Sequence, residues 1–369
     1  VLPLFARYPA LEGQLPRLRL GCLPTPVGRL PDWGGDAAPA SLHLKRDDLS
    51  GTVYGGNKVR KLEFLLAAAL ARGVQEVLTV GFAGSNHSLA TALYARQVGL
   101  HCAALLLPQA NAHYVRRNLL ASHRCGAELH ACRTELGLLL AAGLRLVRGR
   151  LGGGSTPVYV PAGGSCPLGM VGYVNAAFEL QEQIQAGALP EPDLVYVALG
   201  SMGTAAGLML GLRAAGLKSR VVPVRVIGKR LARPAGMLRL LRRTVALLCR
   251  LDPAFPRLEF TAADVASRDD CLGSGYARFT PAGVQAAERL RREAGIVLNG
   301  AYTAKAFAVL FGDLQRQCLR GQHVLFWNTY NSRDLSGITA GVDYHDLPCG
   351  FHRYFEEDVQ PLDRDGCER

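Results

Sequence analysis

The chain has 369 residues, 49% of them hydrophobic and 20% charged, which fits a folded globular protein long enough for two lobes around one site. A net charge of +12 raises the question of nucleic acid, but aromatics make up only 7%, no nucleic-acid motif is present, and anionic substrates explain the basicity equally well. No apolar run reaches the roughly 18 residues of a membrane span, and the ten cysteines show neither C-x-x-C nor zinc-site spacing, so no membrane, no metal and reduced thiols in a cytoplasmic setting are expected.

No basic-then-apolar leader opens the sequence, which starts at Val1. Leu20 to Leu30 reads as a proline-punctuated loop and Leu42 to Leu44 as a short strand. A regular series follows: strand Val77 to Phe82, helix Asn86 to Val98, strand Cys102 to Leu107 and helix Ala112 to Arg124. Short strands Ala127 to Ala131 and Pro157 to Val160 then flank a helix that includes Leu136 to Val147. The glycine-rich loops at 151–157 and 161–169 separate this series from a second.

The second series starts with a helix from Gly169 to Gln185, then strand Leu194 to Leu199, helix Thr204 to Ala215 and strand Val221 to Ile227. Lys229 to Arg250 reads as an amphipathic helix with a basic, solvated outer face. Thr280 caps a helix with Pro281 at its first position, running to Ala294 and stopping at Gly295. Tyr302 to Cys318 is a further helix and His323 to Trp327 the last strand. Strands alternating with helices predict an α/β fold of open, parallel-rich twisted sheets with helices on both faces. The division expected is a smaller α/β domain over 55–170, and a larger one over 1–54 and 171–369. The charged, proline-containing tail from Phe351 to Arg369 is expected to be loosely held.

Within Leu44 to Leu66, Lys58 follows Gly55-Gly56-Asn57 and opens a segment whose Leu62, Leu65, Leu66, Ala69 and Leu70 recur at helical spacing. A cation at a helix N-terminus opposes the helix dipole. Two readings stand for the stretch taken alone: a solvated lysine after a tight turn, or an amine of lowered pKa able to form a Schiff base. Ligands in open α/β sheets bind beyond the strand C-termini. There, Ser85, Asn86 and His87 start a helix whose free N–H groups suit an anion, with Ser85 serving at least as a cap. Gly200, Ser201, Met202, Gly203 and Thr204 form a second anion cradle, without G-x-G-x-x-G or a Walker lysine. Tyr276 and Tyr302 occupy glycine-flanked positions that suit either proton transfer or interface packing.

Taken in order, KRDDLSGTVYGGNKVRKLEFLL, GSNHSLATALYARQVGL, PAGGSCPLGMVGYVNAAFEL, ALGSMGTAAGL, GSGYARFTP and GIVLNGAYTAKAFAVL resemble the D-cysteine desulfhydrase and 1-aminocyclopropane-1-carboxylate deaminase family. The resemblance spans Leu4 to Gly337 and implies a two-domain tryptophan-synthase-β-like fold with pyridoxal 5′-phosphate between the domains. It implies that Lys58 carries the Schiff base, that Asn86 bonds the cofactor's 3′-oxygen, and that Ser85, Asn86 and His87 receive the substrate carboxylate. Gly200 to Thr204 would cradle the phosphate, Tyr276 and Tyr302 would flank the substrate, and Thr303 would face the pyridine nitrogen. A homodimer acting on a small amino acid is also implied.

Deaminases of this family carry glutamate and leucine where this chain has Thr303 and Thr329, whereas desulfhydrases carry hydroxyl residues. The resemblance therefore implies β-elimination of a good leaving group, with D-cysteine the first choice. Cyclopropane-carboxylate deamination, elimination from another D-amino acid, and cofactor binding without turnover are the alternatives. Where the family usually reads H-T-G-G, this chain reads Asn328-Thr329-Tyr330-Asn331, which makes Tyr330 a candidate substrate contact; Asn299-Gly300 replaces the usual D-P.

Overall fold

Apolar strand runs that alternate with helices have to bury both faces, and the chain does so in two sheets. The computed structural model describes residues 1–33, 38–151 and 156–364; residues 152–155 of the expected glycine-rich loop, and Cys367 with the last of the tail, lie outside them. A short helix α1, Pro3–Arg7, precedes β1, Val27–Arg29, which pairs antiparallel with β2, Ser41–Arg46. The expected loop at 20–30 thus ends in a strand. β1 lies at the edge of its sheet, with three residues exposed or half-buried, so it carries no apolar alternation to read.

Helix α2, Asn57–Ala71, leads into β3, Glu76–Phe82; α3, Asn86–Gln97; β4, His101–Leu107; α4, His113–Arg124; β5, Glu128–Ala131; α5, Glu135–Leu151; and β6, Val158–Val160. These strands form a parallel sheet ordered β5-β4-β3-β6. α6, Pro167–Gln185, then precedes β7, Leu194–Leu199; α7, Gly203–Ala214; β8, Arg220–Arg225; α8, Pro234–Leu251; α9, Pro281–Ala294; α10, Thr303–Gln315; and β9, His323–Asn328. The second sheet runs β1-β2-β9-β7-β8, parallel except for β1.

Alternation along β7 shows how both faces are covered. Val195, Val197 and Leu199 pack with residues of α6, α7 and α8, while Leu194, Tyr196 and Ala198 pack with residues of α9 and α10. The smaller sheet repeats the arrangement, with Leu78, Val80, Ala103 and Leu105 against Leu138 and Ala142 of α5. The basic stretch is helical only from Pro234, which opens α8 after a turn over 229–231; Met237, Leu240, Leu241, Val245 and Leu248 face inward, and Arg239, Arg242, Arg243 and Arg250 face solvent. Among the described residues, no helix is long and apolar enough to cross a membrane and no cluster could hold a metal.

The helix expected from the spacing of Leu62 to Leu70 forms as α2, with Leu70 exposed at its far end and Arg60, Lys61 and Glu63 buried. The tail is not loosely held over its described part. Phe351, Tyr354 and Asp363 are buried, Arg116 donates to the carbonyls of Tyr354 and Glu357, and the His113 amide donates to Asp363 at 2.6 Å.

The burial of Arg60 has a cause. Its guanidinium bonds both Asp47 and Glu179, and the Lys45 Nζ donates to Glu179 at 2.6 Å. The Tyr173 hydroxyl and the Trp327 indole N–H also donate to Asp47, at 2.6 and 2.8 Å. Two cations face two carboxylates, each further hydrogen-bonded, which is what makes burial of four charges tolerable. This cluster joins β2, α2, α6 and β9 directly beneath the start of α2.

Candidate active site

The C-terminal ends of β3, β7 and β9 converge on one cleft, whose lining includes Lys58, Ser85, Asn86, His87, Gly200, Ser201, Met202, Thr204, Tyr276, Tyr302, Thr303, Thr329 and Tyr330. Of the residues expected at the site, only Gly203 is absent from that wall, because it begins α7 just behind it. Residues from 58 to 330 therefore meet in one place.

Lys58 is the second residue of α2, whose N-cap Gly56 has φ +88°. A Cβ on Gly56 would lie 2.8 Å from the Thr329 carbonyl oxygen, so glycine is what lets the turn approach the segment after β9. Asn331 holds the same contact by accepting from the Gly55 amide at 2.6 Å, which gives a structural reason for the side chain that replaces a family glycine. The Lys58 Nζ donates to Asn57 Oδ1 at 2.6 Å, and Asn57 Nδ2 donates to Thr204 Oγ1 at 2.9 Å. Burial without a carboxylate partner pushes the Lys58 amine down to about 8. At that value a useful fraction is the free base near neutrality.

Ser85 caps α3 by accepting from the Ser88 amide at 3.1 Å. Asn86 Oδ1 accepts from Asn118 Nδ2 at 2.9 Å and from the Tyr54 hydroxyl at 3.1 Å, which leaves its Nδ2 as the donor for a ring oxygen. His87 is buried, and its ring nitrogens meet no partner in good geometry, the Pro161 carbonyl giving only a weak contact. Burial, reinforced by Lys58 and Lys61, holds its pKa well below the usual histidine value, so it is a neutral imidazole.

Met202, the N-cap of α7, makes no capping bond with its own side chain and takes φ +72°. Ser201 Oγ accepts from Ser165 Oγ at 2.8 Å, and Ser165 Oγ in turn accepts from the Gly203 amide. A Cβ on Gly163 would fall 1.9 Å from Ser201 Oγ, so the 161–169 loop is fitted against the cradle. Opposite, the hydroxyls of Tyr276 and Tyr302 are in very close contact, and burial raises both above the usual tyrosine value. Thr303 Oγ1 accepts from the Asn299 amide at 2.8 Å.

Sequence reasoning missed Asn57, Tyr54, Asn118, Ser165 and Lys61. Lys61 is buried beneath the cradle, donating to the Gly163 carbonyl at 2.9 Å, and burial beside Lys58 depresses its pKa strongly. Its spacing from Lys58, one turn along the same helix, was the available signal.

A helix N-terminus flanked by hydroxyls, a lysine without a carboxylate partner and an amide donor between them fit a phosphate, an aldehyde carbon and a ring oxygen in turn. Fold and cleft together define the pyridoxal-phosphate enzymes built on two parallel-rich sheets. Residues 18–329 match the family model described as pyridoxal-phosphate dependent enzyme, and the chain belongs to that family. Nocardicin C-9′ epimerase of Nocardia uniformis subsp. tsuyamanensis is 36% identical over 335 residues, covering 89% of this chain and 97% of that protein. The crystal structure of an ACC deaminase homologue superposes with a TM-score of 0.75 at 30% identity, covering 93% and 97% of the two chains. A pyridoxal 5′-phosphate-dependent aspartate racemase shares the fold at TM-score 0.56 and 18% identity, with 85% of this chain and 92% of that one covered.

Proposed function

We propose that the protein is a lyase that removes the Cα proton of a small amino acid and expels a β-thiol, with D-cysteine its first substrate. Balanced overall, D-cysteine and water give pyruvate, hydrogen sulfide and ammonia. The observation that carries this reading is the chemistry of the cleft wall. Among the described residues lining it there is no aspartate or glutamate, and Thr303 and Thr329 offer hydroxyls only.

When bound, the cofactor withdraws electrons from Cα and so lowers the cost of losing its proton. Lys58 is the base that takes this proton, since its half-buried amine lines the cleft and desolvation lowers it to about 8. The cradle at Gly200 to Thr204 and the Asn86 amide hold the cofactor, and the N-terminus of α3 with Ser85 and His87 receives the substrate carboxylate. Tyr276 and Tyr302 stand ready to pass a proton to the leaving sulfur. Without a carboxylate beside the ring nitrogen the electron sink is weaker, which suits a leaving group as good as thiolate better than opening of a carbon ring.

A second reading is inversion at Cα. The phenol pair could return a proton, and the 36%-identical relative is an epimerase. A panel of D- and L-amino acids incubated in D2O with the holoenzyme separates the two. Sulfide and pyruvate from D-cysteine support elimination. Deuterium at Cα with inversion and no sulfide replaces it with epimerisation, and 2-oxobutyrate from the cyclopropane substrate overturns the argument from the missing carboxylate.

A further inference from the structure

Tyr276 sits in a loop that cannot set its own shape. Gly273, Gly275 and Ala277 take φ of +66°, +141° and +58°, so residues on both sides of the tyrosine occupy conformations that most side chains avoid, Ala277 with a Cβ in place. Such a loop persists only when its surroundings hold it. Two side chains do so. From α10, the Lys305 Nζ donates to the carbonyls of Leu272 at 2.8 Å and Gly275 at 3.3 Å. From the tail, Gln360 Oε1 accepts from the Phe279 amide at 2.7 Å, while its Nε2 donates to the Ala277 carbonyl at 3.1 Å.

Gln360 is held in turn. Its own amide donates to the Asn111 carbonyl at 3.0 Å, and Asn111 Nδ2 donates to the carbonyls of Tyr354 and Glu357. Asp363 accepts the His113 amide three residues on. The tail is thus fastened to the start of α4, beside the smaller sheet, and from there inserts one buried amide under the loop. The side-chain amide accepts from Phe279 through its oxygen and donates to Ala277 through its nitrogen, so one planar group spans two residues of the loop.

We infer that Gln360 is a positioning residue for Tyr276: the C-terminal segment sets the place of the phenol that meets Tyr302, and with it the proton-transfer step. The inference rests on the proposal that Tyr276 works in the reaction. Displacement of a working group by about 1 Å can cost about 100-fold in rate. In holoenzyme, Gln360→Ala is expected to lower kcat roughly 10- to 100-fold with KM and the cofactor absorbance band retained, on whichever amino acid of the panel reacts. Glu at this position, Gln360→Glu, keeps the acceptor and loses the donor, and serves if the alanine variant fails to fold.

The decisive measurement is a double-mutant cycle with Tyr276→Phe. If Gln360 acts through Tyr276, the double variant is no slower than Tyr276→Phe alone. Multiplying losses, or a wild-type kcat for both Gln360 variants beside an impaired Tyr276→Phe, overturns the inference and leaves the reading of the site intact. A fully active Tyr276→Phe removes the inference and the role given to Tyr276, and leaves the reading from Lys58 and the carboxylate-free wall to the substrate panel. A crystal structure of either Gln360 variant decides independently of turnover, since a Tyr276–Tyr302 contact left in place sinks the inference.

Discussion

One helix serves two opposite electrostatic environments. On one side of α2, Arg60 is buried among Asp47 and Glu179, with Lys45 beside them. On the other, Lys61 is fully buried and Lys58 half-buried at the cleft, and both face hydroxyls, amides and carbonyls. In the first region, burial alone would raise the carboxylates, but the Arg60 guanidinium overrides it, holding Asp47 below its ordinary value and Glu179 at about 2. Lys45 is drawn down by burial while Glu179 and Asp47 oppose the shift. In the second region nothing opposes desolvation of Lys58. Compensated charge keeps its ionised form and braces the fold, and uncompensated charge leaves an amine shifted toward its free base.

The contrast breaks first at Lys58. Lys58→Ala is expected to abolish the visible cofactor band and reduce turnover by roughly 10²- to 10⁴-fold, the range for a removed acid–base group. In protein stripped of cofactor, the rate of cofactor capture should rise with pH, half-maximal near 8, because only the free amine attacks. Half-maximal capture near the ordinary lysine value would show that the amine is not desolvated.

Arg60→Met tests the scaffold side. Removing one partner of a buried pair leaves Lys45 as the one remaining cation for Asp47 and Glu179 in the cluster, at a cost of about 3–5 kcal/mol. Denaturant unfolding measures it. The same cluster sets an acid limit: Glu179 and Asp47 have folded-state values below their unfolded ones, so their contribution is complete above about pH 4.5 and fades as pH falls toward 2. In the Arg60→Met variant that acid dependence should shrink. The smallest effect is expected for Asn331→Gly, which restores the usual family residue but removes the bond to the Gly55 amide, at about 1 kcal/mol. A rise in stability there would deny Asn331 its bracing role.

Most of the alternating series was legible because β3, β4, β7 and β9 are apolar runs bounded by glycine and asparagine turns. Thr280, Pro281 and Gly295 marked both ends of α9 to the residue, and Ser85 is the cap its position implies. The convergence of Lys58 with Thr303, Thr329 and Tyr330 came from motif order, since no local pattern links residues that far apart. For the same reason the ion cluster was invisible. Arg60 and Glu179 lie 119 residues apart, and a basic residue in VRKLEF looks like a solvated helix face until its distant carboxylates are known. The tail misled through composition, because its docking rests on the burial of Phe351 and Tyr354 and on bonds from Arg116 and His113 to it, partners that lie far away in sequence.

Trp327 gives the comparison an optical form. The chain has two tryptophans; Trp327 is fully buried with its indole N–H on Asp47, two residues before Thr329 of the cleft, while Trp33 lies half-buried near Glu293. A water-shielded indole anchored to an anion emits in an environment unlike that of its partly wetted counterpart. The molecule therefore carries an internal fluorophore at the joint between scaffold and cleft, which a dissolved quencher reaches less readily than it reaches Trp33.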